Sequence, residues 1–532
     1  MNRAALYLAL LALVALLSAP GALAKPGDKP DEKPEPDPEN LPNIVMVVTD
    51  DQTVEMLNDR TMPETLDRLA GEGTTFTNAI ATTPLCCPSR ASMITGQYGH
   101  NNGVLDQKYR LLSKKRNVLP IWLRRAGYST IHVGRYLNGY ERVAKARTRP
   151  APGWDQWHSL IKPRRYYGYT LSVNGGTVPY ANVPENYLTT VLTDRAVEMI
   201  NRYGPRRNPF YLQFDHLAPH TSGGEENGGG CVGAAIPAPT DEGSFSNTPL
   251  PRPPSFDEEN ADDKPSFIRN LPRLVPAQVE NMERRYRCAL GSLREVDRSI
   301  AAIDEAIRAV GERNRTIFIF LSDNGYYYGE HRIPSSKNYP YAEAYRLPLL
   351  IRAPRKYLKA PAVSEVAAPV ANIDLAPTIL GFARTDSCKK PDGHRCRTMD
   401  GRSLIPLIQD DTDRFPLDRG LVVELNRAAG VSVEDDGGGT CSYQGLYAPG
   451  YLYVEHTGAL DPTVASCVPI DEKELYDLTG DPFQLSNTAT QTASLLAPSP
   501  LQIELATRLN RLRNCAGIRG RDNDIEARPF CE

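Results

Sequence analysis

The sequence has almost no excess of charge of either sign and no tract rich in lysine or arginine. Its 61 lysines and arginines stand against 64 aspartates and glutamates, which leaves a formal net charge of -3 at pH 7. Proteins that hold nucleic acids through the phosphate backbone carry clustered positive charge. The sequence therefore predicts no nucleic-acid partner.

Long apolar runs are also missing after the N-terminus. The one such run, residues 4–17, follows Arg3 and precedes Ala22-Leu23-Ala24. It is short for a membrane helix, and small residues at its end are typical of a cleavage site. We predict a signal peptide over residues 1–24, a secreted, extracellular protein and no stable membrane span; an uncleaved membrane anchor is the alternative. Residues 25–41, rich in Pro, Asp, Glu and Lys, are predicted to form a disordered linker.

Residues 86–96 combine a thiol, a Pro-Ser pair, an arginine and an apolar run. Proline is tolerated in the first turn of a helix, so the pattern predicts a helix start. A helix start presents free backbone N–H groups and the positive end of the helix dipole, which suit an anion. Arg90 would add a forked donor for a tetrahedral oxyanion. From the residues alone, the alternative is a capped helix with two buried cysteines.

These residues spell CCPSRASMITG and fit C-x-P-S-R-x-x-x-x-T-G. The pattern resembles the signature of the type I sulfatases, which belong to the alkaline phosphatase superfamily. With the following letters QYGHNNGV, it is most similar to the N-acetylglucosamine-6-sulfatases and the extracellular heparan 6-O-endosulfatases. The resemblance implies that a formylglycine-generating enzyme oxidises Cys86 to formylglycine before folding, and that Cys87 is the variable residue.

Oxygen ligands follow two apolar runs. Asp50 and Asp51 come after residues 43–49, and Asp323 and Asn324 come after residues 316–322. Such runs are typical of buried parallel strands, whose carboxyl ends gather ligand groups. Adjacent carboxylates are costly unless a positive group such as a hard cation holds them; a solvated pair of acids is the alternative. The resemblance implies that all four bind a metal with the modified Cys86; we expect Ca²⁺ and leave Mg²⁺ open.

Further matches to the family place groups around the sulfate. Arg135, in GRYLN, stands where the family usually has a sulfate-binding lysine, so it keeps the charge and gains a fork. His220 matches the histidine of the family's A-P-H, which contacts the sulfate ester, and imidazole suits proton transfer near neutral pH. Lys337 is the lysine of a loop that binds sulfate in the family; a solvated surface lysine is the alternative. Arg90 completes the set.

Three other histidines are weaker candidates. His331 lies in the loop of Lys337 and is a second choice there. His216 lies four residues before His220, but Pro219 breaks any helix between them, so we predict a packing role. His100 could line the pocket or be structural, and the sequence leaves both open.

The cysteines show no C-x-x-C pair with matching histidines, which argues against a zinc cluster. Ten cysteines fit export, and setting aside Cys86 and Cys87 leaves an even eight. Eight cysteines allow about 105 pairings. As a guess, nearest neighbours along the chain pair as Cys231–Cys288, Cys388–Cys396, Cys441–Cys467 and Cys515–Cys531.

Apolar strand patterns alternate with helical ones, as at residues 128–133 and 209–214 against 118–126, 185–203 and 279–310. With the resemblance, this implies an α/β fold: an alkaline phosphatase-like mixed sheet sandwiched by helices. We place a catalytic domain at residues 42–405 and a smaller C-terminal α+β subdomain at 406–532. Residues 341–351 resemble the family's Y-x-E-x-x-R-V-P-L strand, and the resemblance implies a strand there. The biased insert 222–264 is predicted as a surface loop.

The implied activity is a secreted sulfuric ester hydrolase acting on sulfated N-acetylglucosamine or glycosaminoglycan sugars, with aryl sulfates left open. One hydroxyl of hydrated formylglycine would attack sulfur, and the other would expel sulfate by re-forming the aldehyde. Arg90, Arg135 and Lys337 would balance charge on the sulfate oxygens, and His220 would act at the leaving oxygen. The alternatives are a phosphodiesterase or phosphonate hydrolase of the same superfamily, and a non-catalytic protein that binds sulfated glycans.

Overall fold

The computed structural model describes residues 37–143, 149–161, 164–224, 229–388, 396–427, 439–461, 466–492, 494–522 and 527–532. The strands are β1 Asn43–Thr49, β2 Thr74–Phe76, β3 Ala79–Ile80, β4 Ser129–Gly134, β5 Gln156–Ile161, β6 Thr170–Val173, β7 Gly176–Pro179, β8 Phe210–Asp215, β9 Thr316–Ser322, β10 Arg346–Leu347, β11 Leu349–Arg352, β12 Glu365–Val366, β13 Val370–Ala371, β14 Leu421–Asn426, β15 Thr440–Ala448, β16 Tyr451–Asp461 and β17 Ser466–Asp477. The α-helices are Pro63–Thr65, Cys86–Thr95, Gly99–Asn102, Leu119–Arg125, Leu188–Tyr203, Ser266–Arg269, Pro276–Ala309, Ala342–Tyr345, Leu375–Phe382, Ile405–Ile408 and Pro500–Leu512.

The apolar runs form the centre of a large mixed sheet. Its strand order is β12-β2-β11-β9-β1-β8-β4-β5-β6-β7. The middle five strands, from β9 to β5, pair in parallel, while β11, β6 and β7 pair antiparallel to their neighbours. Every residue of β1, β8 and β9 is buried, as parallel strands covered on both faces require.

Successive side chains of β1 pack into two different cores. Ile44 and Val48 join a core with helices Cys86–Thr95 and Leu375–Phe382. Val45 joins a second core with helices Leu188–Tyr203 and Pro276–Ala309. The period of two along a strand sends neighbouring side chains to opposite faces. Helices therefore cover both faces of the sheet, which confirms the predicted α/β sandwich.

The C-terminal part carries a separate antiparallel sheet in the order β14-β15-β16-β17, beside helix Pro500–Leu512. Its core residues Leu421 and Leu446 share one cluster with Tyr98 and Tyr341 from earlier in the chain. Residues Pro38–Glu532 accordingly form one compact unit. The smaller C-terminal α+β element is present as predicted, while a domain boundary at residues 405 and 406 stays a prediction.

The structure corrects two predicted elements. Residues 341–351 are not one strand but the short helix Ala342–Tyr345 followed by β10 and β11. The insert 222–264 is not simply a surface loop, because Ile236, Phe245 and Leu250 are buried against helix Pro276–Ala309. Isolated apolar residues between glycines and prolines give no periodic pattern, so the sequence could not show that this loop packs into the core.

All four predicted disulfides are present: Cys231–Cys288, Cys388–Cys396, Cys441–Cys467 and Cys515–Cys531. Cys86 and Cys87 are buried free thiols. The nearest-neighbour guess is thereby confirmed.

The predicted signal peptide and most of the linker lie outside the described residues. At the end of the linker segment, Pro38–Asn40 form a short 3-10 turn and Leu41 is buried. Within the described part of the chain, no helix combines the length and the apolar character that crossing a membrane requires.

Candidate functional site

Four neighbouring parallel strands bring the predicted residues to one edge of the sheet. Asp50 and Asp51 follow β1, Arg135 follows β4, and Asp323 follows β9. The fourth strand, β8, leads into the segment of His220. Because these strands are parallel neighbours, their carboxyl ends meet, and residues far apart in sequence become adjacent.

Local backbone geometry fixes how β4 ends. Gly134 has φ 105, and a Cβ on it would overlap the carbonyl oxygen of Asp215 on the neighbouring β8. Only glycine allows this approach. The next residue, Arg135, then donates its backbone N–H to the same oxygen at 2.7 Å. The pairing of β4 with β8 thus directs Arg135 into the site.

Cys86 is the first residue of helix Cys86–Thr95, which ends at Gly96 in the left-handed conformation. Its Sγ lies 3.4 Å from Oδ1 of Asp50 and 3.1 Å from Nζ of Lys337. The residue is fully buried, and burial raises the pKa of the Cys86 thiol to about 12. The thiol is therefore protonated at neutral pH in this structure.

The acidic residues form a compact cluster of metal-ligand type. Ligand atoms of Asp50, Asp51, Cys86 and Asp323 all lie within 4.8 Å of one another, and all four residues are buried. The amide oxygen of Asn324 is also buried and accepts no hydrogen bond from the described residues. Several carboxylate oxygens and an unsatisfied amide oxygen are the donors that a hard divalent cation prefers. The donor set therefore fits the predicted ion.

The guanidinium of Arg90 contacts three carboxylates of the site. Its Nε donates to Oδ2 of Asp323 at 2.7 Å, and its Nη2 donates to Oδ2 of Asp50 at 3.2 Å. Its Nη1 lies 3.3 Å from Oδ1 of Asp215 and donates to the carbonyl oxygen of Arg135. These carboxylates raise the pKa of the buried Arg90 guanidinium against the effect of burial. Arg90 therefore stays charged and is held rigidly.

Two further cations balance the cluster. Nη1 of Arg135 forms an ion pair with Asp50, while its Nη2 donates to Oδ1 of Asn138 at 3.0 Å. Nζ of Lys337 donates to Oδ1 of Asp51 at 2.5 Å. Burial raises the pKa of the Asp51 carboxyl, and Lys337 opposes that rise. A site that mixes buried acids and bases in this way can hold a cation and an anion side by side.

His220 stands over the same cluster. Its Nδ1 lies 2.7 Å from the carbonyl oxygen of Thr221, which can only accept, so Nδ1 carries the proton. Its Nε2 lies 3.8 Å from Oδ2 of Asp51. Burial, followed by Lys337 and Arg135, holds the pKa of His220 well below its usual range. The ring is therefore neutral, with the Nε2 lone pair turned toward the cluster.

A pocket of about 830 Å³ opens above these groups. Asp51, Arg135, His220 and Lys337 line it. It is large enough for a sugar, since small-molecule pockets typically measure roughly 300–1,000 Å³.

The three weaker histidine candidates do not line this pocket. His331 pairs with Glu258 at 2.9 Å, and His100 pairs with Glu424 at 3.0 Å. His216 is buried against Phe214, and neither ring nitrogen has a hydrogen-bond partner in the described structure. None of the three lines the pocket.

Sequence reasoning missed several residues of the site. Asp215 binds Arg90 and also accepts from Nε2 of His132 at 3.0 Å. It ends β8 much as Asp50 follows β1, and that position was the available signal. Arg164, Arg285 and Tyr326 also line the pocket. Arg285 lies in the predicted helix 279–310 and Tyr326 follows Asn324 closely, but no motif marked any of the three as a site residue.

The sulfatase family model matches residues 42–385. The chain belongs to the sulfatase family. This finding confirms the predicted family and the predicted class, sulfuric ester hydrolase.

Two relatives illustrate the similarity of this sulfatase to other members of the family. Human N-acetylglucosamine-6-sulfatase is 30% identical over 513 residues, covering 90% of this chain and 85% of the relative. A putative extracellular sulfatase Sulf-1 homolog of Caenorhabditis elegans is 30% identical over 376 residues. That match covers 69% of this chain but only 49% of the relative, so this chain spans about half of that longer protein.

Solved structures confirm the fold. A protein described in complex with its substrate D-glucosamine-2-N,6-O-disulfate matches with a TM-score of 0.67 and 23% identity, covering 88% of this chain and 97% of that one. A phosphonate monoester hydrolase from Silicibacter pomeroyi matches with a TM-score of 0.64 and 21% identity, covering 88% and 94%. The same fold therefore occurs in a protein with a sulfated-sugar substrate and in a phosphonate monoester hydrolase.

Proposed function

We propose that this sulfatase is a secreted enzyme that hydrolyses the 6-sulfate ester of N-acetylglucosamine units in glycosaminoglycan sugars. One observation carries the proposal: Cys86 contacts both Asp50 and Lys337, and Lys337 lines a pocket of about 830 Å³ together with Asp51, Arg135 and His220. The nucleophile position, the metal-type ligands and the anion-binding cations thus share one place. The relatives named N-acetylglucosamine-6-sulfatase and extracellular sulfatase support the substrate and the secretion.

Cys86 would work as formylglycine, whose hydrate supplies the attacking oxygen. The folded chain buries Cys86 completely, with an exposed fraction of 0%. An enzyme that modifies a side chain must reach it, so this burial favours conversion by a formylglycine-generating enzyme before folding is complete.

A divalent cation would be held by Asp50, Asp51, Asp323 and Asn324, with residue 86 beside them. We propose Ca²⁺, because these protein ligands offer oxygen atoms and Ca²⁺ accepts oxygen ligands in flexible geometry. Mg²⁺, which demands octahedral geometry, is the competing ion. When bound, the ion supplies positive charge to the nucleophile and to a sulfate oxygen.

The chain's own cations would position the sulfate. Lys337 lies 3.1 Å from Sγ of Cys86, so its ammonium group can contact a sulfate oxygen next to residue 86. Arg135 lines the pocket and would bind a second oxygen. Arg90 lies beneath the carboxylates and would keep them charged and fixed. Fixed charges in a water-poor site stabilise developing negative charge without reorganisation.

His220 would serve the leaving group. Its Nδ1 is engaged with Thr221, so Nε2 is the atom that faces the pocket. This orientation places Nε2 to contact the ester oxygen of the sugar while the S–O bond breaks. His216 is buried away from the pocket and has no part in this step.

Arg135 allows a direct test, because it replaces the family's usual lysine. We expect Arg135→Ala to lower kcat/KM by on the order of 100-fold, since a charge-assisted contact to the sulfate is lost. Arg135→Lys should recover part of the loss, because lysine keeps the charge but cannot span Asp50 and Asn138 together. Steady-state kinetics on a sulfated sugar would measure both. An unchanged kcat/KM in Arg135→Ala would show that Arg135 does not bind the sulfate.

A substrate screen tests the proposed function. Rates of ester hydrolysis would be compared on N-acetylglucosamine 6-sulfate, an aryl sulfate, an aryl phosphate diester and a phosphonate monoester, by release of sulfate from the first two and of the alcohol or phenol from the last two. We expect the sugar sulfate to exceed both phosphorus esters in kcat/KM by at least about 100-fold, because the site must discriminate at the transition state. Faster hydrolysis of the phosphonate or the diester would favour the second candidate function, a phosphonate hydrolase. The similar fold of the phosphonate monoester hydrolase from Silicibacter pomeroyi is the reason to consider this candidate. Binding of sulfated sugar without any turnover would favour a non-catalytic glycan-binding protein.

A further inference from the structure

The cations that line the pocket differ in how their charge is balanced. Lys337 pairs with Asp51, Arg135 pairs with Asp50, and Lys108 pairs with Asp106 at 2.6 Å. Arg164 and Arg285 line the same pocket, yet neither forms an ion pair with any carboxylate of the described chain. The pocket therefore carries positive charge beyond that which balances the acidic cluster.

Arg285 is fixed in place by neutral partners. Its Nη2 donates to the hydroxyl of Thr221 at 3.0 Å and to the hydroxyl of Tyr326 at 2.7 Å. Its guanidinium carbon lies 5.7 Å from the centre of the Tyr326 ring. These contacts orient the side chain but leave its charge uncompensated. A guanidinium has five N–H donors in a fixed fork, so several remain for a ligand.

Arg164 lies beside the same segment. Its carbonyl oxygen accepts the backbone N–H of Gly223 at 2.7 Å, which ties residue 164 to the stretch after His220. Its guanidinium makes no hydrogen bond to the part of the chain described here. Its charge is one of those that hold the pKa of His220 low. The backbone of Arg164 contacts Gly223 and the side chain of Arg285 contacts Thr221, so both arginines border the stretch from His220 to Gly223.

The two parts of the pocket lining differ in how positive and negative side chains are mixed. The lining from residues 106–108 and 137–142 contains Asp106 and Glu141 together with Lys108 and Arg142. The lining from Arg164, residues 220–223, Arg285 and Tyr326 contributes no acid, and Asp51, which lies beside Arg285 and Tyr326, is already paired with Lys337. Uncompensated guanidinium groups grouped on one side of a pocket favour an anion there.

We propose that Arg164 and Arg285 form a second anion subsite beside His220, which binds a negatively charged group of the substrate other than the sulfate being cleaved. The subsite rests on the proposed function, because that function assigns the cleaved sulfate to Arg135 and Lys337. The group it takes is a second sulfate or a carboxylate. The substrate class is accordingly a sugar with two anionic groups, such as an N,6-disulfated glucosamine or a 6-sulfated residue joined to a uronate.

The test compares substrate preference in matched variants. We would measure kcat/KM for glucosamine-2-N,6-O-disulfate, for N-acetylglucosamine 6-sulfate, and for N-acetylglucosamine 6-sulfate joined to a uronate. We expect the wild-type enzyme to prefer a dianionic substrate over the monosulfate by roughly tenfold or more, the worth of one charge-assisted hydrogen bond. Arg164→Gln and Arg285→Gln should each lower this ratio by about tenfold. If the variants lose the preference for the disulfate over the monosulfate, the bound group is a sulfate. If they lose the preference for the uronate-linked sugar over the monosulfate, it is a carboxylate.

Arg284→Gln is the matched control. Arg284 is the neighbour of Arg285 on helix Pro276–Ala309, but its Nη1 donates to the carbonyl oxygens of Gly230 and Val232, and it does not line the pocket. Its substitution should leave the preference ratio as in the wild type. Arg285→Lys should retain part of the preference, since the charge remains.

Two results would overturn the subsite. One is equal wild-type kcat/KM on all three substrates. The other is an unchanged ratio in Arg164→Gln, whose side chain makes no hydrogen bond or ion pair to the described residues. An Arg285→Gln variant that loses activity equally on all substrates would show that Arg285 only supports Thr221 and is not a ligand. If no sulfate ester is hydrolysed, the proposed function fails separately. Calorimetric dissociation constants of the same sugars, ranked across the same variants, would then decide the subsite.

Discussion

The Cys86→Ser variant is expected to lose turnover by on the order of 10⁴-fold or more, the scale of losing a nucleophile. Serine offers one hydroxyl, whereas the hydrate of formylglycine offers two, and release of sulfate needs the second. The variant should therefore be inactive or should stop as an enzyme esterified with sulfate at residue 86. Sulfate-release kinetics together with the mass of the intact protein after incubation with substrate would measure both outcomes.

Cys87→Ser is the matched control for this loss. Cys87 is equally buried, but its Sγ faces the carbonyl oxygen of Asn138 at 3.6 Å and is not part of the acidic cluster. The Cys87→Ser variant should therefore keep most of the wild-type turnover. Normal turnover by Cys86→Ser would contradict the mechanism, and so would a fully active wild-type enzyme whose residue 86 peptide has the mass of an unmodified cysteine.

Removal of the divalent cation should cause the second large loss. A bound metal ion is worth several kcal/mol of charge stabilisation at a transition state, so chelation should lower kcat by on the order of 10³-fold. Added Ca²⁺ should restore it. A readout independent of activity is the melting temperature, which should rise with Ca²⁺ concentration because the ion binds the folded state.

Asp323→Asn gives the variant form of this experiment. Asp323 contributes a ligand atom to the cluster and also binds Arg90, so its loss should weaken the dependence of melting temperature on Ca²⁺. Asp194→Asn, an exposed residue of helix Leu188–Tyr203, is the control and should melt as the wild type does at every Ca²⁺ concentration. Full activity in protein shown by elemental analysis to contain no divalent metal would refute the metal site. Recovery with Mg²⁺ but not Ca²⁺ would change only the identity of the ion.

The predicted elements succeeded where the sequence repeats one physical pattern. Residues 316–322 form a strand with the predicted limits, because seven residues with a buried, largely β-branched or aromatic character have no other stable placement. Residues 341–351 failed because tyrosines and leucines there serve a short helix and two short strands in turn. That prediction rested on the resemblance to a strand of the family, and a match of residue types does not show where a short helix interrupts the extended backbone.

The predicted site residues lie together, although they come from six separate segments of the chain. Several were readable from their places, since Asp50, Asp323 and Arg135 follow strands and Cys86 opens a helix, whereas Lys337 lies in a loop. Their partners were not readable. The contacts of Arg90 with Asp215 and Asp323, and of Lys337 with Asp51, join residues more than a hundred positions apart.

The order of residues along the chain was enough to predict a helix start at Cys86 and acids at the ends of buried strands, while their roles came from the family resemblance. The pairing of the cysteines was a guess that the structure confirmed. Tertiary structure alone decided which charges neutralise one another and which, like Arg164 and Arg285, keep theirs facing the pocket. The physical reason is that strand ends carry their chemistry locally, while charge balance depends on which strands become neighbours. That neighbourhood is set by packing across the whole sheet.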